Sequence, residues 1–139
     1  FHPSGSLGLK LKTVEDLMLT ETKIPFINEN KKMKEALKII SKKKLGVLIV
    51  RNTKKETTGI ITDGQIRRAS LINSNFQKLI VKKVMTKKPI GVNQEMLAAK
   101  ALSLMNNKKI TSLCVYKNKN KNKTIGILHI HNILEANVH

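Results

Sequence analysis

The chain has 139 residues, with 27 Lys and Arg against 9 Asp and Glu and a formal net charge of +18. Its 40% apolar content is enough to bury a core, as one domain or as two small similar halves. No apolar run reaches the roughly 18–20 residues of a membrane span and no signal peptide pattern is read; the lone Cys114 excludes an internal disulfide and fits a reducing compartment.

The chain opens on FHPSGSLG (residues 1–8), an aromatic and a histidine followed by a polar Gly- and Ser-rich stretch. VEDLM (residues 14–18) reads as a short helical turn. Ile24-Pro25-Phe26-Ile27 follows as an extended piece, since proline restricts the residue before it. Met33, Leu37 and Ile40 keep the spacing of an amphipathic helix. Gly46-Val47-Leu48-Ile49-Val50 is an apolar strand, and Thr58-Gly59-Ile60-Ile61-Thr62 returns after a polar turn. Thr62 or Asp63 offers the N-cap of a closing helix.

The series then recurs. VKKVM (residues 81–85) matches VEDLM at an offset of 67 residues. MKEALKIISKKKLGVLIV (residues 33–50) aligns with AAKALSLMNNKKITSLCV (98–115), and GIITDGQI (59–66) aligns with GILHIHNI (126–133). Pro89-Ile90-Gly91-Val92 is the second extended piece, and Leu97, Ala101, Leu104 and Met105 mark the second helix. Residues 112–116 and 124–128 are strands, and KNKNKNK (117–123) between them is a solvated hairpin loop. Cys114, between Leu113 and Val115, reads as a buried small hydrophobe. The predicted fold is α+β: two β-α-β-β-α units, residues 13–74 and 75–139, packed with pseudo-twofold symmetry about a cleft. Neither unit buries its apolar face alone.

The positive charge points to a phosphate-bearing partner: nucleic acid, an anionic membrane or a phosphorylated small molecule. However, 24 of the 27 basic residues are Lys and 13 residues are Asn, the usage of A+T-rich coding. Nucleic-acid readers rely on arginine forks and aromatic stacking. Here there are three Arg, three Phe, one Tyr and no Trp. Binding to nucleic acid or to a membrane is therefore not expected.

V-x-D-L-M opening a unit, with GIITDGQIRR (residues 59–68) closing its strand pair, resembles a tandem pair of CBS domains, a Bateman module, over residues 13–136. FHPSGSLG, VMT (84–86), ITSLCV (110–115) and GILHIHNIL (126–134), in that order, resemble the C-terminal half of the D-arabinose 5-phosphate isomerases. In that family a sugar isomerase (SIS) domain precedes a CBS pair. The resemblance implies a cytoplasmic aldose–ketose isomerase that interconverts ribulose 5-phosphate and arabinose 5-phosphate. Its product feeds the synthesis of Kdo, a sugar acid of lipopolysaccharide and some capsules. It implies that residues 1–12 are the end of the isomerase domain and a linker. His2 is then catalytic only in a longer parent, where a histidine suits the proton transfers of an enediol route. The 139 residues alone are expected to be inactive, because an isolated histidine does not hold a substrate in reactive geometry. Such pairs associate as homodimers, and the parent enzymes as tetramers.

CBS pairs carry a G-h-x-T/S-x-x-D signature at the second strand–helix junction. The hydroxyl and the helix amides hold phosphate, and the carboxylate accepts from ribose hydroxyls. Thr62-Asp63-Gly64-Gln65 keeps the hydroxyl but sets Gln65 in the carboxylate position. In the second repeat His129 replaces the hydroxyl residue and Asn132 the carboxylate. An amide offers one acceptor oxygen and no charge, so ribose binding is expected to be weakened. Arg67 and Arg68 add positive charge. Thr20, Ile24, Asp63, Thr86, Ile90, Thr111 and Ser112 complete the expected ligand-binding residues. No cofactor is required. The implied effector is an adenosine nucleotide or a sugar nucleotide like the cytidylate of Kdo (CMP-Kdo). His129 and His131 form an H-x-H pair with no third or fourth ligand nearby, so no metal is expected. His129 is instead expected to line the second site and cap the last helix. The alternative is a structural module without ligand, dimerising through the closing helices at residues 63–72 and 131–136. The Gln65 and Asn132 substitutions favour it.

Overall fold

Two runs of consecutive apolar residues, Val47 to Val50 and Leu113 to Val115, become central strands, buried on both faces. The computed structural model describes residues 11–138. In chain order the elements are α1 (Val14–Leu17), β1 (Phe26–Asn28), α2 (Met33–Lys43), β2 (Val47–Arg51), β3 (Thr57–Thr62), α3 (Asp63–Ile72), α4 (Val81–Val84), β4 (Thr86–Lys87), β5 (Gly91–Asn93), α5 (Ala98–Lys108), β6 (Ser112–Tyr116), β7 (Gly126–His129) and α6 (Ile130–Val138). Two compact units result: Thr22–Pro89, and residues 11–21 with 90–138.

In the first unit β2 pairs in parallel with β1 and antiparallel with β3, which sets Val47 opposite Thr62. The two-residue β4 adds the far edge, with Ile60 opposite Thr86. Met33, Ala36 and Ile40 of α2 are buried with Leu48, Val50, Ile61 and Val81. In the second unit β5, β6 and β7 repeat the pattern, with Ser112 opposite His129, and a Leu19–Ile127 bridge takes the place of the edge strand. Ala98, Ala101 and Met105 of α5 are buried with Leu113, Val115, Leu128 and Val14. Both α2 and α5 end on a lysine in the left-handed region, Lys44 at φ 59° and Lys109 at φ 57°, whose N–H returns to the helix. That ending favours glycine, so each lysine costs roughly 1 kcal/mol.

The sequence repeat and the packed unit are offset from one another. The predicted bounds, 13–74 and 75–139, follow the repeat, yet Val14 of α1 is buried in the second unit and Val81 of α4 in the first. At four residues neither helix is stable alone. Their leading N–H groups find tertiary acceptors instead. Val14 and Glu15 donate to the carbonyls of Met96 and Gln94 at 2.8 and 2.9 Å, and Val81 and Lys82 to those of Lys31 and Glu29 at 2.8 and 2.9 Å. Asp16 also accepts the Thr13 N–H at 2.8 Å, which holds its carboxyl below the usual carboxylate range. The methionine after each helix lies against a strand glycine: Met18 on Gly126 and Met85 on Gly59. A Cβ at Gly59 would also meet the Thr86 carbonyl oxygen at 2.8 Å, and one at Gly126 that of Leu19 at 3.1 Å. Glycine is what lets the edge segment come this close.

Cys114 is buried, and burial pushes its thiol up to about 11, so it packs and does not react at neutral pH. Residues 117–123 are exposed throughout and link β6 to β7. No helix among the described residues is long and apolar enough to cross a membrane.

Residues 22–89 contain every part of the first unit, whereas residues 13–74 lack α4 and β4. A 22–89 polypeptide is expected to show a cooperative urea transition, and a 13–74 polypeptide none. Circular dichroism checks both.

Candidate functional site

In the first unit β3 hands over to α3 at Thr62, whose backbone is still extended. Thr62 Oγ1 accepts the Gln65 N–H at 3.4 Å, and Gln65 Oε1 accepts the Thr62 N–H at 2.8 Å and its hydroxyl at 3.3 Å. This reciprocal pair is a capping box. Gln65 Nε2 donates to Thr86 Oγ1 and so ties the helix to the sheet edge. The Asp63 N–H donates to the Gly46 carbonyl at 3.0 Å. Gly46 has φ +71°, and a Cβ there would stand 2.9 Å from Asp63 Oδ2. Ile24 is buried two residues before Phe26, at the same end of the sheet as the Val47–Thr62 pair.

The Arg68 guanidinium lies beside Gly64, where a Cβ would stand 3.3 Å from Nη1. It lines an open groove of about 360 Å³ with Gln65, Ala69, Ile72, Asn73, Leu79, Lys83 and Val84. Two cations, two amides and four apolar side chains line it, with no carboxylate among them. Arg67, on the same helix, is exposed outside the groove.

The second unit uses other groups for the same turn. Asn132 Oδ1 accepts the His129 N–H at 2.9 Å, and His129 Nδ1 accepts the His131 N–H at 3.1 Å. The two rings stack with centroids 4.7 Å apart. Burial, and then the charge of His131, hold His129 below the ordinary histidine value. The Ile130 N–H donates to the Thr111 carbonyl at 2.8 Å, and the Ile90 carbonyl accepts the Cys114 N–H at 3.2 Å. Among the described residues Ser112 Oγ is buried and finds no hydrogen-bond partner. Ile90, Thr111, Ser112, His129 and Asn132 thus share one end of the second sheet. Thr20 does not join them. Leu19 pairs antiparallel with Ile127, so the next residue runs away from His129 and is exposed.

The family model described as CBS domain matches residues 14–72 and again 81–139. The chain belongs to the CBS domain family. Arabinose 5-phosphate isomerase KdsD of Salmonella typhimurium is 36% identical over 138 residues, covering 99% of this chain and 41% of that protein. The chain therefore spans about two fifths of the length of the curated relatives it matches. Among solved structures, CBSX2 in complex with AMP superposes with a TM-score of 0.79 at 24% identity, over 91% of this chain and 96% of that one. The CBS domain of a bacterial CNNM/CorC family Mg2+ transporter in complex with ATP gives 0.82 at 14% identity, over 98% and 94%. The structural likeness establishes the α+β fold of a CBS tandem.

In each CBS repeat the residue three places after the cap reaches back to the cap's own N–H. Gln65 and Asn132 are thus helix-capping groups, and at Gln65 the amide nitrogen also donates to Thr86 Oγ1. Gly46 and Lys83 escaped the sequence reading. Gly46 had a signal, because it aligns with Thr111, 65 residues later, and both carbonyls accept the first N–H of the closing helix. Lys83 had none, since only the folding of α4 beside α3 brings it to the groove. Among the described residues no group of three His, Cys, Asp or Glu is placed to hold a metal ion.

Thr62→Val removes the cap acceptor while keeping side-chain shape. It is expected to cost about 1 kcal/mol in urea unfolding, with Thr62→Ser close to the parent chain.

Proposed function

We propose that this CBS pair is the regulatory part of an arabinose 5-phosphate isomerase, which converts ribulose 5-phosphate to arabinose 5-phosphate in cytoplasmic Kdo synthesis. Identity of 36% to KdsD across 138 residues carries this reading. Catalysis belongs to the longer protein; His2, its proposed catalytic histidine, lies outside the described residues. The proposed effector is an anionic nucleotide or sugar nucleotide bound at the strand–helix junctions. Three observations support it: the Thr62 hydroxyl at a helix start, Arg68 and Lys83 in the groove that Gln65 of the same helix lines, and the AMP and ATP complexes of proteins with this fold. Gln65 and Asn132 spend their oxygens on capping, so recognition rests on phosphate rather than on ribose hydroxyls. Calorimetric titration with AMP, ATP, S-adenosylmethionine and CMP-Kdo tests it. At least one anionic nucleotide is expected to bind below millimolar concentration, and Arg68→Ala to weaken it roughly tenfold. No binding by any of the four at millimolar concentration rejects the effector.

One observation favours a second role, homodimerisation through the closing helices. No residue of α3 is buried, Leu71 and Ile72 are each 81% exposed, and Leu134 of α6 is 45% exposed. Exposed large apolar side chains grouped on one element mark an interaction surface. Sedimentation equilibrium is expected to give a dimer for the chain and a monomer for Leu71→Ser with Ile72→Ser.

A further inference from the structure

His129 is 7% exposed and its Nδ1 accepts the His131 N–H at 3.1 Å. An imidazole nitrogen that accepts an N–H carries no proton, so this bond requires neutral His129 with its proton on Nε2. Protonation turns Nδ1 into a donor that faces another donor. It also sets an imidazolium at the N-terminal end of a nine-residue helix, where the helix dipole disfavours positive charge. His131, stacked at 4.7 Å, adds repulsion when it is charged too. We infer that the His129–His131 pair is a proton-operated cap on α6, closed when His129 is neutral and open when it is protonated.

The neighbouring elements bring few groups to oppose this. α1 carries Glu15 and Asp16, α5 carries Lys100 and Lys108, and α6 carries Glu135, all exposed. None of them forms an ion pair with His129 among the described residues; burial first, and then His131, lower its pKa. β6 sets Ser112 directly across from His129, so both side chains leave on one face. The orphaned Ser112 hydroxyl is then the acceptor open to the released imidazolium. The first unit provides an internal control, because Thr62 fills the same position with a group that does not titrate.

The direction in pH follows. The unfolded chain holds His129 near the ordinary 6.5, and burial lowers it in the folded state. The unfolded state therefore binds the proton first. The cap's stabilisation is complete above pH 6.5 and is lost as pH falls from there through the lowered folded value. The device needs no effector and does not rest on the reading above.

Amide hydrogen exchange on the 139-residue chain tests it between pH 7.5 and 5, corrected for the intrinsic rate. Amides at the start of α6 are expected to open roughly fivefold more often at the lower pH, the change that loss of one N-cap produces. Those at the start of α3 are expected to hold, and His129→Asn, a cap that does not titrate, to flatten the α6 response. The His131 N–H resonance of the unaltered chain gives a reading independent of any variant, and is expected to titrate together with the His129 ring. Equal responses in α3 and α6, an α6 response that survives His129→Asn, or a His131 N–H that ignores the His129 titration would each overturn the proposal.

Discussion

Each unit depends on a close approach between a methionine and a glycine. Met85 reaches Gly59 in one and Met18 reaches Gly126 in the other, and the absent Cβ is what permits it. That approach lets a short edge segment pair with the sheet, which covers an otherwise open strand edge. It also carries Val81 and Val14 into cores that α2 and α5 would otherwise leave unfilled. Helices of four residues persist there because their leading N–H groups are satisfied by loops that precede α2 and α5.

The repeat was legible because apolar spacing survives folding: Met33, Ala36 and Ile40 face one core, and Ala98, Ala101 and Met105 another. The partner of each opening segment was not legible. Self-similarity shows that VEDLM and VKKVM are equivalent, but it does not say which sheet each one joins. β4 was missed because two residues, Thr86 and Lys87, are too short to show alternation. The site was legible in part. Thr62 with Gln65 three places on is a capping-box pattern in plain sequence, yet a comparison made against an expected carboxylate presents the same glutamine as a loss. Placing His129 at a helix start followed from sequence; its ring stacking on His131 needed the backbone turn.

The two strand–helix junctions solve one problem with different chemistry. Both must satisfy the first amides of a closing helix, and both return a side-chain amide to the cap N–H. One cap is a hydroxyl tied through Gln65 to the sheet edge at Thr86. The other is an imidazole with a buried, unpaired serine hydroxyl across the strand. Equivalent positions in a duplicated fold thus differ in their capping groups, while the backbone that holds them is the same.

The exchange of opening helices also bears on how such a chain arises. A half-length chain with one repeat carries an opener that belongs to a neighbour and lacks the one it needs. Two copies supply all the parts, each lending its first turn to the other, which is a swapped pair of the closed kind. Joining the copies end to end turns that mutual loan into a single polypeptide. In the single polypeptide the two halves can differ in side-chain chemistry, but neither can lose its opener without cost to the other half's core.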